Sequence, residues 1–327
     1  MSGLTSSTGQ EVPCGLCGSR RARVLFQRPR GAPGRAVPGG GCAEEEAAEA
    51  FNATTDRFGA YGRVVRCRDC GFVYTSPRPA AEALLRSYGD CADEDYLKEA
   101  SSRSINAHLS LSTIKRFVPC GRLLEVGCAA GYFLNAARVD FEVAGLEPSA
   151  WACRIARERF RLDIHGEAIE GVQGFAPGVF DVVVMIDVIE HLSDPVGAVR
   201  RAAEWLRPGG VLYLVTPDIG SFSARVLGRY WWGLRPAHLH YFDRPALRRA
   251  LARAGLEPVW EKSFGRIFTY RYWASRLRHY PAFLRRILTA GIRLCGAEDK
   301  FLYLNTRDSM EVCARKAADR EISKMDG

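Results

Sequence analysis

The run Leu123–Phe133, LLEVGCAAGYF, limits the possible folds of this chain more than any other stretch. Aliphatic residues end in Glu125, and small residues from Gly127 to Gly131 follow before the aromatics resume. A buried strand that turns at once into a helix needs backbone conformations that side chains obstruct. A turn stripped of side chains also lets a ligand approach its N–H groups. The flanking pattern supplies the frame. Apolar strand-like segments at Arg122–Val126, Glu142–Leu146, Leu162–His165, Val182–Ile186 and Val211–Thr216 alternate with helix-like segments over residues 119–263. That alternation predicts an α/β fold with a doubly wound, mostly parallel sheet, whose ligands sit at the carboxyl ends of its strands. Ser149, Asp194 and Asp243 each precede a helical run and are predicted N-caps, with Pro195 at the first helical position. The RPGG stretch at 207–210 and Gly255 read as glycine stops.

Residues 1–80 follow a different logic. Cys14-Gly-Leu-Cys17-Gly and Cys67-Arg-Asp-Cys70-Gly are paired knuckles around a Gly/Pro/Arg-rich interlude that reads as a flexible loop. The glycine after each second cysteine permits the turn that brings two thiolates onto one metal. Cys14, Cys17, Cys67 and Cys70 therefore predict a zinc-ribbon domain with a structural Zn²⁺, because four thiolates leave no open position. A redox C-x-x-C is the rival, and it needs only one pair. Cys42, Cys91, Cys120, Cys128, Cys153, Cys295 and Cys313 lack such spacing and read as small buried residues. Residues 81–118 read as a helical connector, and 264–327 as a basic helical lid insertion followed by a final strand, DSMEVCARK.

The small-residue turn lacks the third glycine of a dinucleotide fingerprint, and no Gly-Lys-Ser/Thr follows to make a phosphate loop. A second acid sharpens the reading. Glu147, in VAGLEPS at the end of the second strand, can accept both hydroxyls of a ribose with no pyrophosphate present. Together LLEVGCAAGYF, VAGLEPS, FDVVVMIDVIEHLSDP and WLRPGGVLYLVTPD resemble, in order and spacing, the class I S-adenosylmethionine-dependent methyltransferases. The resemblance covers about 119–263 and the final strand, and it implies a seven-stranded sheet. It also implies a cofactor site. Glu125, Gly127, Cys128 and Gly131 would form the turn against the methionine portion, and Glu147 with Pro148 would meet the ribose. Glu167 and Ala168 would flank the adenine, and Asp187 and Val188 would line the cleft. Position 129, glycine in the family's usual turn, is alanine here. Methyltransferases acting on adenine or amide nitrogen usually carry an Asn/Asp-Pro-Pro-Tyr/Phe turn after the fourth strand. IDVIEH stands there instead, which argues for an oxygen or carbon acceptor. CGFVYTSPRP, after the second knuckle, is similar to the zinc-ribbon head of sugar and natural-product methyltransferases, implying a small acceptor of that kind.

Three histidines are candidate bases. His191 titrates near neutrality when unperturbed and can take a hydroxyl proton during transfer, or it can simply pair with Glu190. Asp187, Glu190 and His191 share one face if their turn is helical. An acid-x-x-Glu-His pattern binds a divalent metal in ubiquinone-pathway O-methyltransferases, with Asp here as the first acid. In RYWWGLRPAHLHYFDR (229–244), His238 and His240 alternate, so an extended loop points both the same way among rings suited to a sugar or aromatic ligand. Such a loop can equally just pack over the sheet.

The formal charge of +9 sits almost wholly in one segment. Between Lys262 and Ala297 stand eight basic residues and no Asp or Glu, interleaved with aromatics and split by Pro281 into two short helices. The segment reads first as a lid over the acceptor site, second as a surface for an anionic membrane carrying a lipid-linked acceptor, and third as an RNA-binding element. An RNA methyltransferase and a non-catalytic zinc-dependent binding protein thus remain the alternatives. The opening residues contain no apolar leader core, and the longest apolar runs, such as VVVMI at 182–186, are strand-sized. The expected location is cytoplasmic, where disulfides are unexpected.

Overall fold

Three sheets organise the computed structural model, which describes residues 9–27, 61–172, 174–276 and 282–318. The Gly/Pro/Arg-rich interlude, Cys42 and Pro281 lie outside the described residues. Strands β1 (Ala22–Phe26), β2 (Val64–Cys67) and β3 (Val73–Thr75) come first, then helices α1 (Ala81–Gly89), α2 (Glu94–Lys98) and α3 (Ala100–Ile114). The central alternation runs β4 (Gly121–Val126), α4 (Tyr132–Ala137), β5 (Phe141–Leu146), α5 (Ala150–Phe160), β6 (Ile164–His165) and β7 (Phe180–Ile186). It continues with α6 (Pro195–Trp205), β8 (Leu206–Pro217), α7 (Phe222–Leu227), β9 (His240–Tyr241), α8 (Arg244–Ala252) and β10 (Leu256–Ser263). Then come β11 (Arg266–Thr269), α9 (Tyr270–Ser275), α10 (Ala282–Leu294), β12 (Phe301–Leu304) and β13 (Ser309–Lys316).

The large sheet has seven strands in the order β10-β13-β8-β7-β4-β5-β6, parallel except where β13 pairs with β8 and β10. Central strands here are apolar on both faces, as a sheet covered by helices on each side requires. Leu124, Val183, Met185 and Leu214 pack with Val199 of α6 and Leu247 of α8. Leu123, Val182, Val184 and Tyr213 pack on the other face with Ile114 of α3 and Phe133 of α4. Leu123, Leu124 and Val182 to Met185 are all 0% exposed, and each such side chain contributes roughly 1.5–3 kcal/mol by burial.

The three predicted caps form: Ser149, Asp194 and Asp243 accept from the backbone N–H of Ala152, Gly197 and Ala246. Helix α6 ends at Trp205, just before RPGG, as the glycine stop predicts. The ladder with β7 then jumps from Leu206–Phe180 to Val211–Val182, so Arg207–Gly210 bulge out of the pairing, with Gly209 at φ 79°. The basic insertion is not purely helical, because β11 and β12 pair antiparallel within it. No helix among the described residues is long and apolar enough to cross a membrane.

The small sheet joins β1-β2-β3 to β9, a strand from the aromatic loop. Cys14, Leu16, Cys67, Phe72 and Tyr74 share one buried cluster with α6 and α8, so small and large sheets pack on a common core.

Candidate active site

One cavity of about 1640 Å³ runs across the carboxyl ends of β4, β5 and β7 and on beneath the aromatic loop and the basic insertion. Its first half is built by the small-residue turn. Gly127 and Gly131 have φ 71° and 79°, and a Cβ there would meet Val188 Cγ2 at 2.5 Å and Leu162 Cδ1 at 2.6 Å. Both positions therefore require glycine. Ala129 adopts the same left-handed region at φ 45°, which costs an L-residue roughly 1–2 kcal/mol. The departure from the usual glycine thus keeps the turn's shape. Ala129 N donates to Glu147 Oε2 and Ser149 N to Glu147 Oε1, both at 2.8 Å, so Glu147 ties the turn to the end of β5. Burial raises the Glu147 carboxyl, and those two N–H groups pull it back.

Gly127, Glu147, Pro148, Glu167, Ala168, Asp187 and Val188 all line the cavity. Glu125, Cys128 and Gly131 do not. The Cys128 thiol points into the core, 2.7 Å from where a Cβ on Gly145 would stand. Glu125 lies beneath the turn, 5% exposed, and its Oε2 has no hydrogen-bond partner among the described residues. Burial, then the charge of Glu147, lifts its carboxyl well above the usual range. A buried acceptor lacking a donor is where a ligand's ammonium fits. Sequence reasoning missed the roof of this half. Tyr96 of α2, Arg103 of α3 and Trp151 of α5 line the same cavity, with Arg103 Cζ 3.2 Å from the centre of the Tyr96 ring. The available signal was an arginine and a tyrosine set into segments read only as connectors.

The second half gathers the histidines. The turn Ile189–His191 is 3₁₀, and the expected Asp187–Glu190–His191 face does not assemble. Asp187, at φ 55°, turns its Oδ1 to Arg266 Nη2 at 2.6 Å. That trio does not fit a divalent ion, because a guanidinium holds its first acid. Glu190, His191 and His238 meet instead, with ligand atoms within 4.8 Å of one another. His191 Nδ1 lies 3.1 Å from Ala237 O and 2.8 Å from the Tyr88 hydroxyl, and His238 Nδ1 lies 2.8 Å from Gly233 O. A carbonyl only accepts, so each Nδ1 carries the proton and each Nε2 keeps its lone pair. Glu190 accepts from Thr216 Oγ1 at 2.9 Å, while its Oε1, 4.0 Å from His191 Nε2, has no hydrogen-bond partner among the described residues. Burial, then Asp187, lifts the Glu190 carboxyl to about 8, so it holds a proton at neutral pH. Burial, then Arg235, lowers His191 to about 4, and burial, then His191, pushes His238 well below the usual imidazole range. Both imidazoles are therefore neutral, and both residues line the cavity.

His240 corrects the expectation of a shared outlook with His238. The loop is extended only from His240 onward, at β9, and His238 sits in the turn before it. The His240 ring is 1% exposed, stacks on Phe72 with centroids 5.6 Å apart, and does not line the cavity. Arg78 Nη1 donates to its Nε2 at 3.0 Å. Beyond the histidines, Trp232, Tyr272, Trp273, Leu288 and Ile292 make the far wall largely apolar.

The basic segment is less cationic in space than along the chain. Lys262 pairs with Glu311 at 3.2 Å, Arg266 with Asp187 at 2.6 Å, Arg271 with Asp299 at 2.7 Å and Arg293 with Glu298 at 3.3 Å.

Beside the small sheet the cysteine pairs meet. Cys14 Sγ lies 3.5 Å from Cys70 Sγ and Cys17 Sγ 3.6 Å from Cys67 Sγ, all four within 4.8 Å of one another. Gly18 and Gly71, the residues after the second cysteines, have φ 76° and 77°, the left-handed turn each knuckle needs. All ten described cysteines are free thiols, and Cys120 and Cys295 are exposed rather than buried as expected.

Residues 95–261 match the methyltransferase domain family. The ubiquinone biosynthesis O-methyltransferase of Xanthomonas campestris pv. campestris is 30% identical over 134 residues, 38% of this chain and 56% of that protein. The chain thus spans little more than half the length of that relative. The ubiquinone biosynthesis O-methyltransferase of Xanthomonas axonopodis pv. citri is 30% identical over 177 residues, 50% of this chain and 72% of that protein. Among solved structures, an S-adenosylmethionine-dependent methyltransferase from Thermotoga maritima is 19% identical, with 68% of this chain and 94% of that chain covered and a TM-score of 0.46.

Proposed function

Because this chain belongs to the methyltransferase-domain family, with a class I S-adenosylmethionine-dependent core, we propose that it methylates a hydroxyl oxygen, or a carbon, of a small acceptor held beside His191. One observation carries the reading: a single cavity joins the Glu147 end of the sheet to two neutral imidazoles on its wall, His191 and His238. Bound S-adenosylmethionine would supply an electrophilic methyl group. The chain's own residues do the rest. Glu147, on the cavity wall, would keep lone pairs for ribose hydroxyls beyond those the turn uses, and Glu125, buried behind the turn with Oε2 unpartnered among the described residues, would place a carboxyl near the methionine end. His191 Nε2 takes the acceptor's proton as its oxygen attacks, and the Ala237 carbonyl holds the imidazole in the tautomer that allows it. The test is methyl transfer from labelled S-adenosylmethionine across a panel of phenols, polyprenyl phenols, nucleotide sugars and RNA. Label on a small molecule supports the reading, and label on RNA alone overturns it. Failure of the untouched protein to bind S-adenosylhomocysteine would favour the non-catalytic alternative.

The four spatial ion pairs of the basic segment argue against a polyanion partner, since a paired cation has little counterion release to offer. No sub-micromolar RNA binding is expected at physiological salt. A salt-dependent gel-shift series checks this, and tight, steeply salt-sensitive binding would contradict it.

A lipid-borne acceptor has its own support. On α10, Leu288 and Ile292 line the cavity, while Phe283, Ile287 and Leu294 are 67%, 65% and 91% exposed. At about 100° per residue those three fall on one face, leaving the helix apolar on both sides. Phe222 and Val226 of α7, at 81% and 65%, and the cavity-lining Tyr230 at 77% add further exposed apolar surface. Flotation with vesicles of anionic and of neutral lipids tests it, with anionic vesicles expected to carry the protein up.

The cysteine cluster is proposed to hold zinc. Tetrahedral Zn²⁺ with Zn–S of about 2.3 Å places its sulfurs roughly 3.8 Å apart, close to the spacing found here. Purified protein is expected to contain about one zinc per chain and Cys67→Ser to lose it, read by elemental analysis. Absence of metal with both pairs oxidised would favour the redox rival.

A further inference from the structure

The metal-binding unit and the acceptor wall share a sheet. We propose that the four-cysteine unit is a positioning element for the acceptor site: metal held by Cys14, Cys17, Cys67 and Cys70 orders residues 237–241 and, through them, His191 and His238. The proposal rests on the role given above to those histidines.

The mechanical path is short and continuous. Cys67 ends β2 and Val73 begins β3, so the second knuckle is itself the connection of the β2–β3 hairpin. Its two halves of the metal site are separated by a long stretch of chain, and a bound metal closes that gap in the folded state alone. The free edge of β3 carries β9, pairing Val73 with Tyr241 and Tyr74 with His240. A strand of two residues has too few ladder bonds to hold its own place. Thr75 extends the attachment toward the cavity, its N–H donating to Leu239 O at 2.9 Å and its Oγ1 to His238 O at 3.2 Å. Leu239 N then donates to Glu190 O at 2.9 Å, which links the loop to the turn that bears His191.

Arg78 closes the circuit from the other side. Its Nη2 donates to Ser193 O at 2.8 Å, just after the His191 turn, while its Nη1 reaches His240. The metal knuckles also touch this assembly directly. A Cβ on Gly15 would stand 3.0 Å from His240 Cε1, and Arg249 Nη2 of α8 donates to Cys70 O at 3.0 Å. The cofactor half has no such dependence. Glu147 is held by Ala129 in the turn after β4, by Ser149 at the cap of α5 and, through its own N–H, by His165 O of β6 at 3.0 Å, none of them in the small sheet. Metal loss should therefore disorder the acceptor wall and spare the cofactor cleft.

Hydrogen exchange of the full chain, with and without chelation of the zinc, reads this without knowing the acceptor. The amides of Thr75 and Leu239 are expected to exchange roughly tenfold faster or more after chelation, as local unfolding of that unit requires. The Glu147 amide and the affinity for S-adenosylhomocysteine, measured calorimetrically, should stay near their starting values. Acceleration that stops at residue 72, leaving 237–241 protected, overturns the proposal. Should chelation unfold the whole chain, Arg78→Ala decides, because it keeps all four cysteines. It is expected to retain zinc and cofactor affinity while speeding exchange across 238–241, with Arg78→Lys recovering part of the protection. Unchanged protection in Arg78→Ala overturns the proposal. Loss of S-adenosylhomocysteine binding by the unaltered protein would instead sink the methyltransferase reading and leave the exchange result standing.

Discussion

Replacing Glu147 by alanine is expected to weaken S-adenosylmethionine binding by about tenfold or more, since each charge-assisted hydrogen bond typically contributes ~1.5–3 kcal/mol net. The side chain serves both the ligand and the protein. Its oxygens receive the N–H groups of Ala129 and Ser149, so alanine would leave a left-handed turn residue and a helix-cap residue short of partners. Ala129, at φ 45°, has the least reason to stay in place without that bond. Part of the alanine effect is therefore loosening of the turn. Glu147→Gln separates the contributions, because the amide keeps one oxygen for a backbone donor while it loses the charge and one acceptor. We expect calorimetric titration to rank the affinities wild type, Gln, then Ala, with the thermal midpoint of Gln closer to wild type. Unchanged affinity in Ala would remove Glu147 from the cofactor site.

The legible features of this chain were those with local causes. Gly127 and Gly131 were readable because a strand that turns into a helix over a neighbouring element leaves no room for a Cβ. Ser149, Asp194 and Asp243 were readable because capping acts within one turn. Six of the seven strands were legible as apolar segments of strand length, while the count of seven was implied only by the family resemblance; RPGG shows as the unpaired excursion between Leu206 and Val211. What escaped was decided by contacts distant in sequence. The charge of the basic segment looked unopposed because its partners Asp187 and Glu311 lie far away and Glu298 and Asp299 stand just past its end. The Asp187–Glu190–His191 face failed for the same reason, since Arg266 arrives from β11 to claim Asp187. His240 could not be told from His238 without the small sheet, which pulls one into a strand and leaves the other at the cavity. Tyr88, which lies against His191 Nδ1, comes from a helix whose sequence showed only apolar periodicity.

His191→Ala is expected to lower turnover by about 10²–10⁴-fold, the usual worth of a general base, while S-adenosylhomocysteine affinity stays near wild type. The pH dependence gives the sharper signature. Burial, then Arg235, lowers His191 to about 4, against a partial opposing pull from Asp187. A base must be unprotonated to act, so the depressed value widens its working range on the acid side. Turnover should persist as pH falls through 6 and fail only toward 4 to 5, whereas an unperturbed histidine would give a limb near 6.5. Glu190 bears on the alkaline side. Its carboxyl, lifted to about 8, loses its proton as pH rises through that value, placing a buried negative charge 4.0 Å from His191 Nε2. That charge favours the protonated imidazole, making His191 a better proton acceptor, so turnover should not fall as Glu190 ionises. Glu190→Gln should abolish any alkaline rise and leave the acid limb in place. Tyr88→Phe should cost less than tenfold, because the Ala237 carbonyl still fixes the tautomer when the phenol is gone. With the acceptor found in the labelled-cofactor panel, the profile of kcat/KM decides. An acid limb centred near 6.5, or full turnover in His191→Ala, would move the base to His238 or remove it from the mechanism.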